Sequence, residues 1–497
     1  MEYVSTRDKA RKVSAAYAIA NGIAPDGGLY CPTEFPALTA EDWHALANLD
    51  YKGRSARILG KFLTDFSGEE LAGFAAKAYA DDKFGGKDTA PVVALSGGKH
   101  LLELWHGPTC AFKDMALQML PHLLTASLRK TGETRTACIL VATSGDTGKA
   151  ALDGFHDVDG TKIMVYYPVD GVSPMQKLQM VTQEGKNVEV VAIRGNFDDA
   201  QSAVKRIFTD EDTRAQLDRD GMMLSSANSI NWGRLAPQIA YYVSAYCDMV
   251  KSGAVKMGEK VNICVPTGNF GNILAAYIAG RMGLPVNKYI CASNRNNVLT
   301  DFFKQGGKYD KNRAFYTTTS PSMDILISSN LERLLSIASD FDDALVRGLM
   351  QSLSTDGCYQ TPAAVFDKIA ADFDAGCCDD AQAAETIRAL WENEHYLCDP
   401  HTAVAVRVYE DYRARTGDTT PTVIASTASP FKFCRAVVEA LGGTLEKDDV
   451  TQLDVLTGLT GVAAPAPLAA LAGKTPRFDR VVDKAGILQT VELLKGL

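Results

Sequence analysis

The chain has 497 residues, of which 46% are hydrophobic and 22% are charged. That length corresponds to about three domains of ordinary size, and the composition excludes a disordered or collagen-like chain. The formal net charge is −9 and no long basic stretch interrupts the charge pattern, which disfavours nucleic acid and membrane surfaces as partners. We therefore expect a globular protein whose partner is a small molecule.

The sequence contains no segment that predicts membrane insertion or export. No apolar run approaches the ~18 residues that a membrane span needs, and the N-terminal segment lacks the apolar stretch of a signal peptide. These features predict a cytoplasmic location. The 11 cysteines form no C-x-x-C pair and the 7 histidines are scattered singly, so we expect reduced thiols and no metal site.

Residues 1–95 are predicted to form a mainly helical N-terminal domain. Apolar residues recur at helical spacing between Asp42 and Ala78, and a P-D-G-G turn interrupts the segment before them. The charged, glycine-rich stretch Asp81–Ala90 is the best candidate for a linker to the rest of the chain.

Beyond that linker, short β-branched runs alternate with amphipathic helices, a pattern typical of parallel β-α-β units. The expected strands are 137–142, 162–167, 187–193, 261–265, 289–292 and 422–425. Three of them run into loops rich in Gly, Ser or Thr: T-S-G-D-T-G (143–148), P-T-G-N-F-G-N (266–272) and S-T-A-S-P-F-K-F (426–433). Because ligands bind at the carboxyl ends of parallel strands, we expect these loops to share one cleft.

These loops do not match the common nucleotide-binding motifs. A P-loop requires a glycine five residues before Gly148 and a hydroxyl residue after Lys149, where this chain has Thr143 and Ala150. The dinucleotide pattern G-x-G-x-x-G is also absent from the three loops. The loop 267–272 could instead wrap a phosphate with backbone N–H groups, and 143–148 could hold a second anion such as a carboxylate. Either loop could equally be an ordinary capped turn.

Lys113 is the most informative single residue. It lies in W-H-G-P-T-C-A-F-K-D-M, with Phe112 before it and Met115 shortly after it. A lysine in a helix is usually solvated, but a partly desolvated amine among apolar neighbours can act as a nucleophile. A nucleophilic lysine near a phosphate-binding loop and a carboxylate-binding loop is the set of groups that a pyridoxal phosphate enzyme needs.

The sequence resembles the threonine synthase family, whose members are pyridoxal-phosphate enzymes of fold type II. The resemblance covers nearly the whole chain. The resemblance rests on motifs in chain order: N-G-I-A-P-D-G-G-L-Y-C-P, H-G-P-T-C-A-F-K-D, T-S-G-D-T-G, N-S-I-N-W-G-R, P-T-G-N-F-G-N, S-P-S-M-D-I and S-T-A-S-P-F-K-F. The length and the N-terminal segment are similar to the longer bacterial and fungal class. One departure is that Ser429 and Phe431 replace the His and Ala of the common T-A-H-P-A-K-F pattern.

The resemblance implies an α/β fold like that of the tryptophan synthase β subunit. Two open, twisted α/β domains would enclose the cofactor in a cleft, with the N-terminal domain 1–95 added. Residues 96–230 would form the smaller domain, with Lys113 and the T-S-G-D-T-G loop, and residues 231–497 the larger, cofactor-binding domain.

The resemblance also implies which residues hold pyridoxal 5′-phosphate. Lys113 would bind it covalently and then act as the acid and base that moves protons. The cofactor phosphate would lie on Gly268, Asn269, Phe270, Gly271 and Asn272. Thr427, or its neighbour Ser426, would face the pyridine nitrogen, and Asp146 would contact the cofactor or the loop backbone.

By the same resemblance the substrate is O-phospho-L-homoserine, which reacts with water to give L-threonine and phosphate in the last step of threonine biosynthesis. Its α-carboxylate would bind Thr143, Ser144 and Thr147, and its phosphate Asn228, Ser229 and Arg234. Two alternatives stay open: a serine/threonine dehydratase-like lyase, and a non-catalytic paralogue that binds a ligand. We expect a monomer or a homodimer.

Overall fold

The computed structural model describes residues 1–86, 88–143, 145–169, 172–195 and 197–497, without the side chains of Phe197 and Asp198. Within these ranges no helix has the length and apolar character needed to cross a membrane.

The N-terminal region combines a small antiparallel sheet with helices. Its strands, in the order β2-β1-β3, are β1 (Tyr3–Ser5), β2 (Asp8–Val13) and β3 (Tyr30–Pro32). Its helices are α1 (Ala15–Asn21), α2 (Ala40–Asn48), α3 (Tyr51–Phe62), α4 (Gly68–Ala78) and α5 (Asp81–Phe84). Capping boxes begin α2 and α4, where Thr39 and Ser67 satisfy the first backbone N–H groups. The predicted helical N-terminal region is confirmed.

The middle of the chain alternates strands and helices. Its elements are β4 (Val92–Ala94), β5 (Lys99–Glu103), α6 (Asp114–Leu117), α7 (Leu120–Lys130), β6 (Thr136–Ala142), α8 (Asp146–Phe155), β7 (Thr161–Pro168), α9 (Pro174–Val181), β8 (Val188–Ile193), α10 (Phe197–Thr209), α11 (Glu211–Arg219) and β9 (Met222–Ser225).

The remaining part of the chain continues the alternation. Its strands are β10 (Val261–Pro266), β11 (Val286–Ser293), β12 (Lys308–Asp310), β13 (Cys358–Gln360), β14 (Phe373–Cys377), β15 (Thr422–Ser426) and β16 (Val481–Val482). Its helices are α12 (Trp232–Ser252), α13 (Gly271–Arg281), α14 (Val298–Lys304), α15 (Leu331–Ala338), α16 (Asp343–Thr355), α17 (Ala363–Asp372), α18 (Asp380–Glu394), α19 (Pro400–Thr416), α20 (Cys434–Ala440), α21 (Asp449–Thr460) and α22 (Ala466–Ala469). Short 3₁₀ helices cover Pro321–Met323, Pro430–Phe433 and Lys484–Gly496.

Two mainly parallel sheets form the α/β part of the molecule. The larger sheet has the order β14-β11-β10-β15-β5-β4, and the smaller has β16-β8-β7-β6-β9. Every pairing in them is parallel except that of β4 with β5. The expected architecture, two mainly parallel α/β units, is confirmed.

Sheet membership crosses the expected domain limits at three places. Strand β4 at 92–94, inside the expected N-terminal domain, pairs with β5 in the larger sheet. Strand β5 at 99–103 pairs with β15 in that sheet, and β16 at 481–482 pairs with β8 in the smaller one. The division into 1–95, 96–230 and 231–497 stays a prediction, and the strand pairings show that the chain passes between the two sheets more than once. Parallel strands need no sequence adjacency, so such exchanges leave no local sequence pattern.

The central strands of the larger sheet are covered on both faces. In β10, Ile263 and Val265 pack in the same apolar cluster as α13, whereas Cys264 packs with the residues of α19. Successive side chains of a strand point to opposite faces, so helices lie on either side of the sheet. This packing fixes the carboxyl ends of β10 and β15, where two of the candidate loops begin.

We expect Ile263→Ala to destabilise the fold by ~2–5 kcal/mol, because it removes a side chain that is only 1% exposed from a central strand. The measurement is the urea dependence of unfolding, followed by circular dichroism. Ile23→Ala is the matched control, since Ile23 is 40% exposed and its loss should change stability by less than about 0.5 kcal/mol. Equal effects of the two substitutions would contradict this packing.

Candidate active site

The loops that follow β6, β10 and β15 meet at one place. The Lys432 Nζ, in the segment after β15, lies 2.9 Å from Oδ1 of Asp146 at the start of α8. Ser322 donates its hydroxyl to Oδ2 of the same carboxylate at 2.9 Å. The backbone carbonyl oxygen of Ser322 would lie 2.7 Å from a Cβ atom placed on Gly268, which belongs to the loop after β10. The loops after β6 and β15 are therefore in direct contact, and Ser322 connects the loop after β10 to them, as expected for a shared cleft.

The segment that carries Lys113 is held against the end of β15 by backbone hydrogen bonds. Phe112 N donates to Thr427 O at 2.8 Å, and Ser429 N donates to Cys110 O at 3.0 Å. The buried Asp114 carboxylate accepts hydrogen bonds from the backbone N–H and the hydroxyl of Thr109, at 2.8 and 2.6 Å. Backbone pairing with the segment after β15 and the turn between Thr109 and Asp114 therefore fix the position of Lys113.

The Lys113 amine is buried beside a carboxylate. Its Nζ lies 3.6 Å from Oδ2 of Asp146. Burial lowers the pKa of Lys113 to about 8, because desolvation disfavours the charged form; Lys432 lowers this pKa further, and Asp146 opposes the change. At neutral pH a larger share of this amine is therefore unprotonated than for a solvated lysine.

Asp146 has more partners than its expected role suggested. Besides Lys432 and Ser322, the side chain of Gln176 donates to Oδ1 at 2.9 Å. Burial alone would raise the pKa of Asp146, but Lys432 and Lys113 outweigh it and hold this pKa well below its usual range. The carboxylate is therefore ionised. Its contact with the cofactor stays a prediction.

The loop after β10 offers a row of unused backbone donors. Among the described residues, none of the backbone N–H groups of 268–272 donates a hydrogen bond. The carbonyls of this loop are occupied: Ser328 donates to Gly268 O at 2.7 Å and Asn330 donates to Asn269 O at 3.1 Å. Phe270 adopts φ +62°, which turns the chain into α13. Adjacent free N–H groups at the start of a helix are well suited to bind a phosphate group.

Asn272 supplies a further donor to the same loop. Its Oδ1 accepts hydrogen bonds from the hydroxyls of Tyr241 and Tyr242, at 2.6 and 2.5 Å. This fixes the orientation of the amide, and Nδ2 is buried without a hydrogen-bond partner in the described part of the chain. A buried donor without a partner is costly, so the arrangement fits a bound phosphate oxygen.

Thr427 and Ser426 differ in how their hydroxyls are engaged. The hydroxyl of Ser426 accepts from Trp105 Nε1 at 3.0 Å and lies 3.2 Å from the hydroxyl of Thr402. The hydroxyl of Thr427 makes no hydrogen bond to any described residue, although the residue is buried. Thr427 is therefore the better of the two candidates for facing the pyridine nitrogen.

The candidate carboxylate-binding loop is partly closed on itself. The hydroxyl of Thr143 accepts hydrogen bonds from Gly145 N and Gly148 N, both at 2.9 Å, so it shapes the loop. Gly145 adopts φ +136°, and a Cβ there would lie 2.3 Å from the Gln176 side chain. Thr147 is half-buried, and Ser144 lies outside the described residues. Binding of the substrate carboxylate by Thr143, Ser144 and Thr147 stays a prediction.

The segment before α12 carries the candidate residues for the substrate phosphate. Asn228 and Ser229 are partly exposed, and the carbonyl of Ser229 accepts from Asn330 Nδ2 at 3.2 Å. Asn330 also contacts the loop after β10, so it connects the two candidate phosphate-binding segments.

Arg234 is a buried guanidinium that has no carboxylate partner among the described residues. One of its nitrogens donates to Ala227 O at 2.9 Å, whereas Nε has no hydrogen-bond partner in the same part of the chain. No ion pair of Arg234 is found within the described ranges, and the residue is 3% exposed. Burial lowers the pKa of Arg234 to about 10, which still leaves it charged. A buried, unpaired cation requires an anion.

Comparison with known proteins identifies the family. Residues 2–79 match the model for the threonine synthase N terminus, 100–427 that for pyridoxal-phosphate dependent enzymes and 402–491 that for the threonine synthase C-terminal region. Threonine synthase of Pseudomonas aeruginosa is 38% identical over 88% of this chain and 90% of its own length. The chain belongs to the threonine synthase family.

Two other relatives extend this comparison. The structure of pyridoxal-phosphate-bound threonine synthase from Brucella melitensis matches with a TM-score of 0.87 and 37% identity, covering 100% of this chain and 99% of the other. Human threonine synthase-like 1 is 41% identical over 88% of this chain. The chain spans about 60% of the length of that relative.

Pyridoxal 5′-phosphate is the cofactor of this family member. The residues fit the group: the N–H groups of 268–272 and Asn272 Nδ2 suit its phosphate, the hydroxyl of Thr427 makes no hydrogen bond within the described ranges, and Lys113 supplies an amine of lowered pKa. The individual assignments remain predictions.

Sequence reasoning missed several residues that complete the site. Lys432, Gln176 and Ser322 all contact the Asp146 carboxylate. Lys432 and Ser322 lie inside two motifs that carry the resemblance, S-T-A-S-P-F-K-F and S-P-S-M-D-I. For these two residues, the motifs were the only sequence signal of a role in the site. His401 Nε2 accepts a hydrogen bond from Ser322 N at 3.1 Å, and His401 Nδ1 lies 2.7 Å from Asp399 Oδ1. These contacts fix the position of the Ser322 segment.

Ser429 and Phe431, the two residues that depart from the common motif, have structural roles. Ser429 accepts a hydrogen bond from Phe431 N at 3.3 Å, which caps the short helix that follows. Phe431 lies in the apolar cluster that includes α19 and is 1% exposed.

We expect Gly268→Ala to weaken pyridoxal phosphate binding by about tenfold or more. The added Cβ would lie 2.7 Å from the carbonyl oxygen of Ser322, so the loop must shift, and overpacking of this kind costs ~1–3 kcal/mol. The dissociation constant is measured by absorbance titration of the cofactor-free protein. Gly458→Ala is the matched control, because nothing lies within 4 Å of a Cβ there. Unchanged affinity in Gly268→Ala would contradict the loop assignment.

Proposed function

We propose that the protein is a threonine synthase that converts O-phospho-L-homoserine and water to L-threonine and phosphate, the last step of threonine biosynthesis. The observation that carries this proposal is Arg234, a buried guanidinium whose Nε has no hydrogen-bond partner among the described residues. Its helix α12 packs against α6, which begins directly after Lys113, and its charge contributes to the lowered pKa of Lys113. A second anion site beside the cofactor lysine fits a substrate that carries a phosphate.

The chemistry divides between the cofactor and the protein. When bound, pyridoxal phosphate withdraws electrons from the substrate and so acidifies its α and β protons. Lys113 accepts and returns these protons, which its lowered pKa allows at neutral pH. Arg234, with Asn228 and Ser229, binds the phosphate and stabilises its charge as the Cγ–O bond breaks. Water then supplies the hydroxyl group at Cβ.

We expect Arg234→Met to lower kcat/KM for O-phospho-L-homoserine by ~10²–10³, the usual cost of losing a charged donor at a developing anion. The assay couples phosphate release to detection of threonine. Binding of L-serine, which lacks a phosphate, is followed by the absorbance of the bound cofactor and should change little. An equal loss for both amino acids would show that Arg234 does not bind the substrate phosphate.

We expect Lys113→Ala to retain pyridoxal phosphate noncovalently and more weakly, since the loop 267–272 and Thr427 are unchanged. Turnover should fall by at least ~10²–10⁴, because general acid–base transfer is lost. Cofactor content is measured by absorbance and turnover by phosphate release. Turnover within about tenfold of wild type would exclude Lys113 as the catalytic base.

A second candidate is a threonine synthase-like protein without this activity, supported by the name of the human relative at 41% identity. It would bind pyridoxal phosphate but release no phosphate from O-phospho-L-homoserine. A dehydratase-like lyase would instead deaminate serine or threonine and would not need Arg234. Assays of the three amino acids on one preparation separate these functions. Light scattering on the same sample decides between a monomer and a homodimer.

A further inference from the structure

Lys432 is a fully buried charge at the site. Its side chain is 0% exposed, and lysines are almost never fully buried unless they are paired. The Nζ donates to Thr109 O at 2.8 Å and lies 2.9 Å from Oδ1 of Asp146. Lys432 therefore connects the loop that precedes Lys113 to the first residue of α8.

Asp146 is shared between two lysines. Lys432 lies at Oδ1, whereas Lys113 lies 3.6 Å from Oδ2. Gln176 and Ser322 occupy the remaining acceptor positions of this carboxylate. One negative charge thus faces two amines, so the cluster as a whole is positive when both are protonated.

This sharing affects the protonation of Lys113 in two ways. A carboxylate paired with Lys113 alone would favour the ammonium form, which cannot accept a proton. Lys432 draws part of that negative charge to itself and also repels a positive charge on Lys113. Both effects favour the neutral amine.

We propose that Lys432 is a positioning residue that occupies the Asp146 carboxylate and thereby keeps the neighbouring Lys113 amine available as a free base. This inference rests on the proposed role of Lys113 in the site.

The other charges around Lys113 do not replace Lys432 in this role. Arg234 of α12 also repels a proton on Lys113 but forms no ion pair with Asp146 within the described ranges. On the helix of Lys113 itself, the Asp114 carboxylate is engaged by the hydroxyl and backbone of Thr109. Asp146, Lys432 and Arg234 are therefore the charges that set the protonation of the amine.

The test is the pH dependence of cofactor uptake. In the full chain freed of cofactor, the neutral amine of Lys113 condenses with the aldehyde of added pyridoxal phosphate, forming a C=N bond and releasing water. The rate, followed by absorbance, rises with the neutral fraction of the amine. We expect the midpoint of this rate to rise by about one pH unit or more in Lys432→Met, which makes uptake at pH 7 about tenfold slower.

Two control variants separate charge from packing. Lys432→Arg retains the charge and should keep the wild-type midpoint. Lys149→Met removes another buried lysine, which pairs with Asp153 at 3.6 Å, and should also leave the midpoint unchanged. A wild-type midpoint in Lys432→Met, or an equal shift in Lys432→Arg, overturns the proposal.

A second variant covers the case in which Lys432→Met does not fold. Lys432→Gln removes the charge but keeps a polar side chain that can donate a hydrogen bond toward Asp146 or Thr109 O, the two partners of Lys432. Its midpoint should also rise by about one pH unit or more, because a neutral side chain neither neutralises the carboxylate nor repels a proton on Lys113. A wild-type midpoint in Lys432→Gln overturns the proposal. Uptake requires neither substrate nor turnover, so a failure of the proposed threonine synthase activity is recognised separately.

Discussion

The ion pairing at Asp146 is the interaction on which the site depends. This carboxylate is the first residue of α8, where the helix dipole favours a negative charge. It lies between Lys113 and Lys432, which are more than 300 residues apart in the sequence. Because these groups are buried, losing Asp146 or Lys432 leaves an uncompensated charge in a poorly solvated place. The relative position of these three segments is therefore tightly constrained.

Around this cluster, the two candidate anion loops are built differently. In the loop after β6, the hydroxyl of Thr143 consumes the backbone N–H groups of Gly145 and Gly148. In the loop after β10, side chains of Ser328 and Asn330 occupy the carbonyls, and the N–H groups of 268–272 donate no hydrogen bond to any residue that the structure describes. The second arrangement leaves donors for a phosphate, whereas the first mainly rigidifies a turn.

The N-terminal region contributes to the site indirectly. Adjacent residues of α15 join it to the rest of the molecule: Glu332 accepts two hydrogen bonds from Arg7 at 2.8 Å, and Arg333 donates to Tyr30 O at 2.9 Å. Arg333 also donates to Ile230 O at 2.6 Å, in the segment that precedes Arg234. The small antiparallel sheet thus braces the segment that carries the candidate phosphate-binding residues.

The sequence by itself determined the alternating α/β pattern and the three loops at strand ends, and it singled out Lys113 as the candidate cofactor lysine. Period-2 and helical spacing, glycine-rich turns and motif order are local properties of the chain. It could not determine that β5 and β16 join sheets remote in sequence, or that Lys432 shares Asp146 with Lys113. Strand pairing and ion pairing between distant segments depend on which surfaces the core brings together. Likewise, Thr143 and Thr427 look alike as hydroxyl residues in strand-end loops. Only the tertiary structure decides that the Thr143 hydroxyl is engaged by its own loop, whereas the Thr427 hydroxyl has no hydrogen-bond partner among the described residues. The reason is physical: burial and hydrogen-bond partners are set by packing, which no local pattern encodes.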